Sequence, residues 1–217
     1  MKMIIVIPSY NFIEGIKWNL EFINENYKFD FEAVVVDNMS TNQNDIIKLT
    51  KLYDWCSFIE NTHKNNLRKS LQLGKEFSDN NNGEIIHVVE TDAILNMDTI
   101  NTMYNVFKEE YSNNIASVSA MYKDGTRDCY PTHRHWHTDA IYKKHPQHGV
   151  IRQTNAGVPF LCSMWEPQMF DFLNEVNTTV IHVDRDLGKL VSTKGFKHFR
   201  LYDYNIGHYK GGRNSRK

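Results

Sequence analysis

Two hydrophobic periods alternate along the first part of the chain. Residues 3–7 form an unbroken apolar, β-branched-rich run stopped by Pro8, the pattern of a strand buried on both faces. Ile13, Ile16, Leu20 and Ile23 then recur at the spacing of an amphipathic helix. Residues 31–36 repeat the strand pattern and close on Asp37, Asn38, Met39, Ser40 and Thr41, and Ile46, Ile47, Leu49 and Leu52 repeat the helical stripe. A short strand over 56–59, a helix carrying Leu67, Leu71, Leu73 and Phe77, a turn over 79–83 and a strand over 85–89 follow. This alternation predicts right-handed crossovers, a parallel sheet and helices on both of its faces.

Beyond residue 90 the pattern loosens. A helix is expected around Ile100, Met103, Tyr104 and Phe107, and a strand over 115–121. Residues 123–149 then carry Arg127, His133, Arg134, His135, His137, His145 and His148 with little periodicity, and a stretch of that length predicts a functional loop. Further expectations are a strand over 158–163, a helix through Phe170 and Leu173, a helix over 184–193 and a strand over 196–201. No repeat is visible, and the compositional bias is a scattering of asparagines.

Composition narrows the class. The 217 residues suit a single α/β domain, 1–217, whose half over about 1–95 is nucleotide-binding in style. With 25 basic and 26 acidic residues and a net charge of -1, nothing calls for nucleic acid as a partner. The three cysteines, Cys56, Cys129 and Cys162, are too few and scattered for a disulfide framework. The first residues lack a signal-peptide apolar stretch and no run reaches bilayer length, so a cytoplasmic protein without a transmembrane segment is expected.

Candidate chemistry gathers at the carboxyl ends of the predicted strands: Pro8, Ser9, Tyr10 and Asn11; Asp37; residues 61–65; and Glu90 and Asp92 flanking Thr91. Carboxyl ends of parallel strands share one sheet edge, so these residues should line one crevice. Two acids one residue apart project from the same side of an extended chain and can converge on a hard cation, Mg2+ or Mn2+. Neither GxGxxG nor GxxxxGK[ST] occurs, so phosphates would be met by a metal and basic side chains. The histidines of HRHWH and HPQH, with Cys129, match no zinc spacing.

Taken in order, IIVIPSYN, FEAVVVDNMST, VVETDAIL and VDRDLGKLVSTKGF resemble the successive motifs of family 2 glycosyltransferases with the GT-A fold, over nearly the whole chain. The resemblance implies a mostly parallel central sheet with helices on both faces, a Rossmann-like first half, and an acceptor and catalytic half over about 96–217. It implies an inverting, metal-dependent hexosyl or deoxyhexosyl transfer from a nucleoside diphosphate donor, a UDP-sugar, to a glycan or other hydroxyl acceptor. Pro8, Ser9, Tyr10, Asn11 and Asp37 would hold the nucleoside, with Asn65 and Arg68 beside them. The family's DxD motif maps onto Glu90, Thr91 and Asp92, so Asp92 would be the metal ligand. The substituted Glu90 would join it or touch the ribose or a metal-bound water. Asp184 falls at the family's base position with Asp186 as the alternative, both also being acids that a helix N-terminus favours. An inverting transfer needs such a carboxylate on the acceptor hydroxyl.

His208 resembles the C-terminal histidine that some GT-A enzymes bring to the metal, and Lys210 and Arg213 would meet the diphosphate. Asn155, Gly157 and Trp165 would border the acceptor, Trp165 being equally suited to the core, and Trp136 or His137 could stack on sugar. The basic end at Arg213 to Lys217 is compatible with a place in a larger multidomain glycosyltransferase. Two rival readings are a sugar-phosphate nucleotidyltransferase, which would want a basic loop where none stands before Lys17, and a catalytically impaired nucleotide- or carbohydrate-binding domain.

Overall fold

The computed structural model describes residues 1–124, 141–145, 149–154, 160–180 and 182–209. Its first half follows the predicted alternation: β1 (Met3–Ser9), α1 (Ile13–Asn26), β2 (Phe31–Asp37), α2 (Gln43–Thr50), β3 (Cys56–Glu60), α3 (Leu67–Asn80) and β4 (Ile85–Val89). Pro8 does not end β1, which runs one residue further, and Leu52 lies past the end of α2 and is exposed. β1 pairs in parallel with β2 and with β4, and β2 with β3. The order β3-β2-β1-β4 means that the chain winds outward from β1 and then returns to its other side. The carboxyl ends of β1 and β4 therefore flank a topological switch point, where such sheets open a crevice.

Strand alternation sends successive side chains to opposite faces. Met3, Ile5 and Ile7 share one core with Ile16 and Leu20 of α1 and Ile46 of α2, while Ile4 and Val6 share the other with Leu71 of α3. Both faces are thus covered.

The second half contains β5 (Ala93–Ile94), α4 (Met97–Glu110), β6 (Ile115–Asp124), β7 (Ile141–His145), β8 (Gly149–Thr154), β9 (Cys162–Trp165), α5 (Val183–Thr193) and β10 (Lys197–His208). The sheet continues as β4-β9-β6-β10-β8-β7, with β5 on β10. β9 is antiparallel to β4 and β6, and β6 is parallel to β10. Hence β1, β2, β3, β4, β6, β7 and β10 run one way, with β5, β8 and β9 against them, and the sheet is mostly parallel in direction. α4 packs on the face of α1 and α2, and α5 on the face of α3.

Four expectations need correction. The segment 123–149 is not irregular throughout, because residues 141–145 and 149–154 pair as β7 and β8. The strand foreseen over 158–163 begins at Cys162, and Phe170 and Leu173 lie on a 3-10 segment, Pro167–Glu175, not an α-helix. The last strand passes Leu201 and reaches His208, because a register shift against β6 between Leu201 and Asn205 lets pairing resume. Among the described residues no helix is long and apolar enough to cross a membrane.

Candidate active site

The carboxyl ends of β1, β2 and β3 stand level, with Ser9 beside Asp37 and Asp37 beside Glu60. Asparagines stitch the loops that leave them. Asn38 donates its backbone N–H (2.8 Å) and its carboxamide (2.9 Å) to the Ser9 carbonyl. Its own carboxamide oxygen accepts from Asn61 Nδ2 (2.6 Å), Ser70 Oγ (2.7 Å) and the Asn66 N–H (3.3 Å). Asn11 accepts from the Thr41 N–H at 2.9 Å and donates its own N–H to Ser40 Oγ at 2.8 Å. Asn11, Met39 and Asn65 take left-handed backbone, which asparagine tolerates and Met39, half-exposed, does not readily.

Asp37 is fully buried, and its carboxylate accepts from the Ser40 N–H at 2.9 Å and Ser40 Oγ at 2.5 Å. It therefore shapes the loop from beneath. Ser9 Oγ is buried without a hydrogen-bond partner among the described residues, and Tyr10 and Asn65 present surface at the same edge.

β1 pairs with β4 from Met3 and Ile85 to Val6 and Val88, so the two strands end side by side at the switch point. The turn from Glu90 to Asp92 is held on several sides. The Glu90 N–H donates to the Leu161 carbonyl at 2.9 Å, and Asn19 of α1 donates to the Glu90 carbonyl at 3.2 Å. Gly15 lets the Thr91 carbonyl approach so closely that a Cβ there would lie 2.0 Å from it. Asn96, not Asp92, caps α4 by accepting the Thr99 N–H at 3.0 Å.

From the other side, β10 pairs with β5 through His208 and Ala93, and Gly207 fits where a Cβ would meet Ile94 at 2.8 Å. This brings His208 Nε2 to 3.2 Å from Asp92 Oδ2, both residues being buried, while the Tyr209 N–H donates to the Asp92 carbonyl at 2.8 Å. The two residues predicted as metal ligands, 116 positions apart in the chain, are neighbours. A carboxylate oxygen and an imidazole nitrogen fit a divalent ion that completes its shell with phosphate oxygens and water. No group of three histidines, cysteines or acids assembles among the described residues.

The first turn of α5 holds both predicted bases. Asp186 is occupied, accepting from Arg185 Nε (2.9 Å) and Thr178 Oγ1 (3.1 Å). Asp184 accepts the Arg185 N–H at 2.8 Å, and burial pushes its carboxyl above the ordinary range against the opposing pull of that N–H, His182 and Arg200. Behind the helix, His198 bridges Ser117 Oγ (2.7 Å) and the Gly188 carbonyl (3.0 Å) and is driven down to about 4 by burial.

Residues 4–176 match the sequence pattern of glycosyl transferase family 2. The chain belongs to that family. Its fold is GT-A, and it resembles the crystal structure of S. aureus TarS 1-349 with a TM-score of 0.66 at 15% identity, covering 96% of this chain and 60% of that one. It also resembles the mannosyltransferase PcManGT from Pyrobaculum calidifontis in complex with GDP-Man and Mn2+, with a TM-score of 0.66 at 17% identity, covering 99% and 60%. TarS 1-349 in complex with UDP-GlcNAc gives 0.64 at 16% identity, covering 97% and 59%. The chain thus spans about 60% of the length of these structures. No curated protein matches the chain closely enough to serve as a relative.

Within this family 2 chain, some expected contacts fall elsewhere. Trp165 is fully buried between Phe160, Phe170 and His198, with Nε1 donating to Ser163 at 2.8 Å, so it is core and cannot border an acceptor. Arg68 donates its guanidinium to the Val176 carbonyl and its N–H to the Thr179 carbonyl at 3.1 Å, joining α3 to the second half. Thr91 is buried in its turn. Trp136, His137, Asn155, Gly157, Lys210 and Arg213 lie outside the described residues. Asn38 and residues 61–65 were placed at the strand ends by the sequence, but not the hydrogen bonds by which Asn38 and Asn61 tie the loops; Gly15 and Arg200 were not singled out.

Proposed function

We propose that this chain is a metal-dependent, inverting glycosyltransferase that moves a hexosyl or deoxyhexosyl group from a UDP-sugar to a hydroxyl of a glycan or other acceptor. The observation that carries the reading is the buried Asp92–His208 contact at the carboxyl edge beside the switch point. These two residues would hold Mn2+ or Mg2+, which neutralises charge on the departing diphosphate. The loops tied by Asn38 and shaped by Asp37 would seat the nucleoside, with Glu90 near the ribose or a metal-bound water. Lys210 and Arg213 follow His208 closely enough in sequence to reach the diphosphate.

Asp184 would accept the proton of the acceptor hydroxyl as that oxygen attacks the anomeric carbon and the bond to the diphosphate breaks. Its raised pKa makes it the better proton acceptor, whereas Asp186 is spent on Arg185 and Thr178. Support for the donor class comes from folds of the same kind that carry UDP-GlcNAc, or GDP-Man with Mn2+. Release of UDP from a panel of UDP-sugars tests the reading. Slow release that needs Mn2+ and vanishes in Asp92→Ala is expected; release indifferent to EDTA and to that substitution contradicts it.

A further inference from the structure

His208 is the last residue of β10, and its imidazole is buried against Asp92. Strand pairing with Ala93 on one side and with Asp124 of β6 on the other fixes its backbone. Just beyond that pairing, an aromatic cluster ties the next residue, Tyr209, to Phe12 and to Trp18 of α1. The Tyr209 ring stacks on Phe12, with centroids 5.7 Å apart and planes 6° from parallel. Trp18 packs edge-on against both, at 5.2 Å from Tyr209 and 5.7 Å from Phe12.

The same stretch of α1 grips the acidic turn. Gly15 receives the Thr91 carbonyl and the Phe12 ring, and Asn19 holds the Glu90 carbonyl. The Tyr209 N–H closes the loop on the Asp92 carbonyl. One helix therefore fixes Asp92 and, through the stacked ring, the residue next to His208. Phe12 is buried, whereas Trp18 and Tyr209 remain 43% and 39% exposed, so burial alone does not account for the clustering of those two rings on it.

From this we infer that Tyr209, clamped by Phe12 and Trp18, is a positioning residue that holds His208 on Asp92 for a divalent cation bound with a nucleoside diphosphate. The inference rests on the proposed metal site. Groups that orient metal ligands without touching the metal typically govern affinity by roughly tenfold to a hundredfold.

The test is a Mn2+ titration, read by the electron paramagnetic resonance of free Mn2+, with saturating UDP and in parallel with GDP. Tyr209→Ala and Trp18→Ala should each weaken Mn2+ binding by roughly tenfold or more, while metal-free melting stays close to the parent. Tyr209→Phe, which keeps the stack, should restore affinity. Should Tyr209→Ala fail to fold, Trp18→Ala on the helix surface decides. Parental Mn2+ affinity in Tyr209→Ala and Trp18→Ala, alongside weakened binding in His208→Ala, overturns the clamp alone. Parental affinity in His208→Ala overturns the metal site beneath it as well.

Discussion

Asp184 and Asp186 sit on one helical turn and carry different burdens. Because burial raises Asp184, the fold holds its proton more tightly than the unfolded chain does. That preference adds stability below the unfolded carboxyl range and is lost as pH rises through the raised value. The ionised carboxylate is therefore a net cost to stability at neutral pH. Asp184→Asn should melt no lower than the parent and still bind donor, yet lose transfer by roughly a hundredfold or more. Paired transfer assays and thermal melts check this, and full transfer activity would move the base elsewhere.

Two histidines give the opposite sign. Burial holds His87 down at about 3 and His198 at about 4, so both stay neutral in the fold. Unfolding frees them to take up protons below about 6.5, so the stability they provide at neutral pH is lost as pH falls from there towards their folded values. Each adds a slope of up to about 1.4 kcal/mol per pH unit. Urea unfolding compared at neutral pH and at about pH 5 should show the fall; a flat profile contradicts it. At this scale the sequence was legible where chemistry is local. Asp92 announces itself as an acid ending an apolar strand. Asn38, Gly15 and Arg200 do not, because their roles depend on what the fold places against them.

Among the elements, the three loops at the carboxyl edge act as a unit because one side chain serves all of them. Asn38 offers a single oxygen to Asn61, Asn66 and Ser70. Asn38→Ala removes the shortest bond of Asn61 and Ser70, leaving them their longer contacts to the Asn66 carbonyl, at an expected cost of roughly 1 to 3 kcal/mol by chemical denaturation, together with weaker nucleotide binding. A loss too small to measure would show that water replaces the asparagine. Periodicity found α1, α2, α3, α4 and α5 because each buries one apolar stripe. It missed β7 and β8, and it cut β10 short at Leu201. Strands at the far side of a sheet owe their pairing to partners distant in sequence, and the β10 register shift leaves no periodic mark.

For the whole molecule, the parallel half was the most legible part, since uninterrupted apolar runs and intervening helices leave few topologies open. The antiparallel β9, inserted between β4 and β6, was not, because a four-residue strand carries too little pattern to declare its direction. Its insertion separates β4 from β6 and β10 in the sheet. The chain nevertheless brings Asp92 and His208, residues 116 positions apart, into contact. The central claim is that this pair holds the cation through which a nucleoside diphosphate binds. The most direct measurement is calorimetric titration of UDP into the parent protein and Asp92→Ala, each with Mn2+ and with EDTA. Binding by the parent only with Mn2+, and none by Asp92→Ala, is the expected result; equal UDP affinity in all four titrations would contradict it.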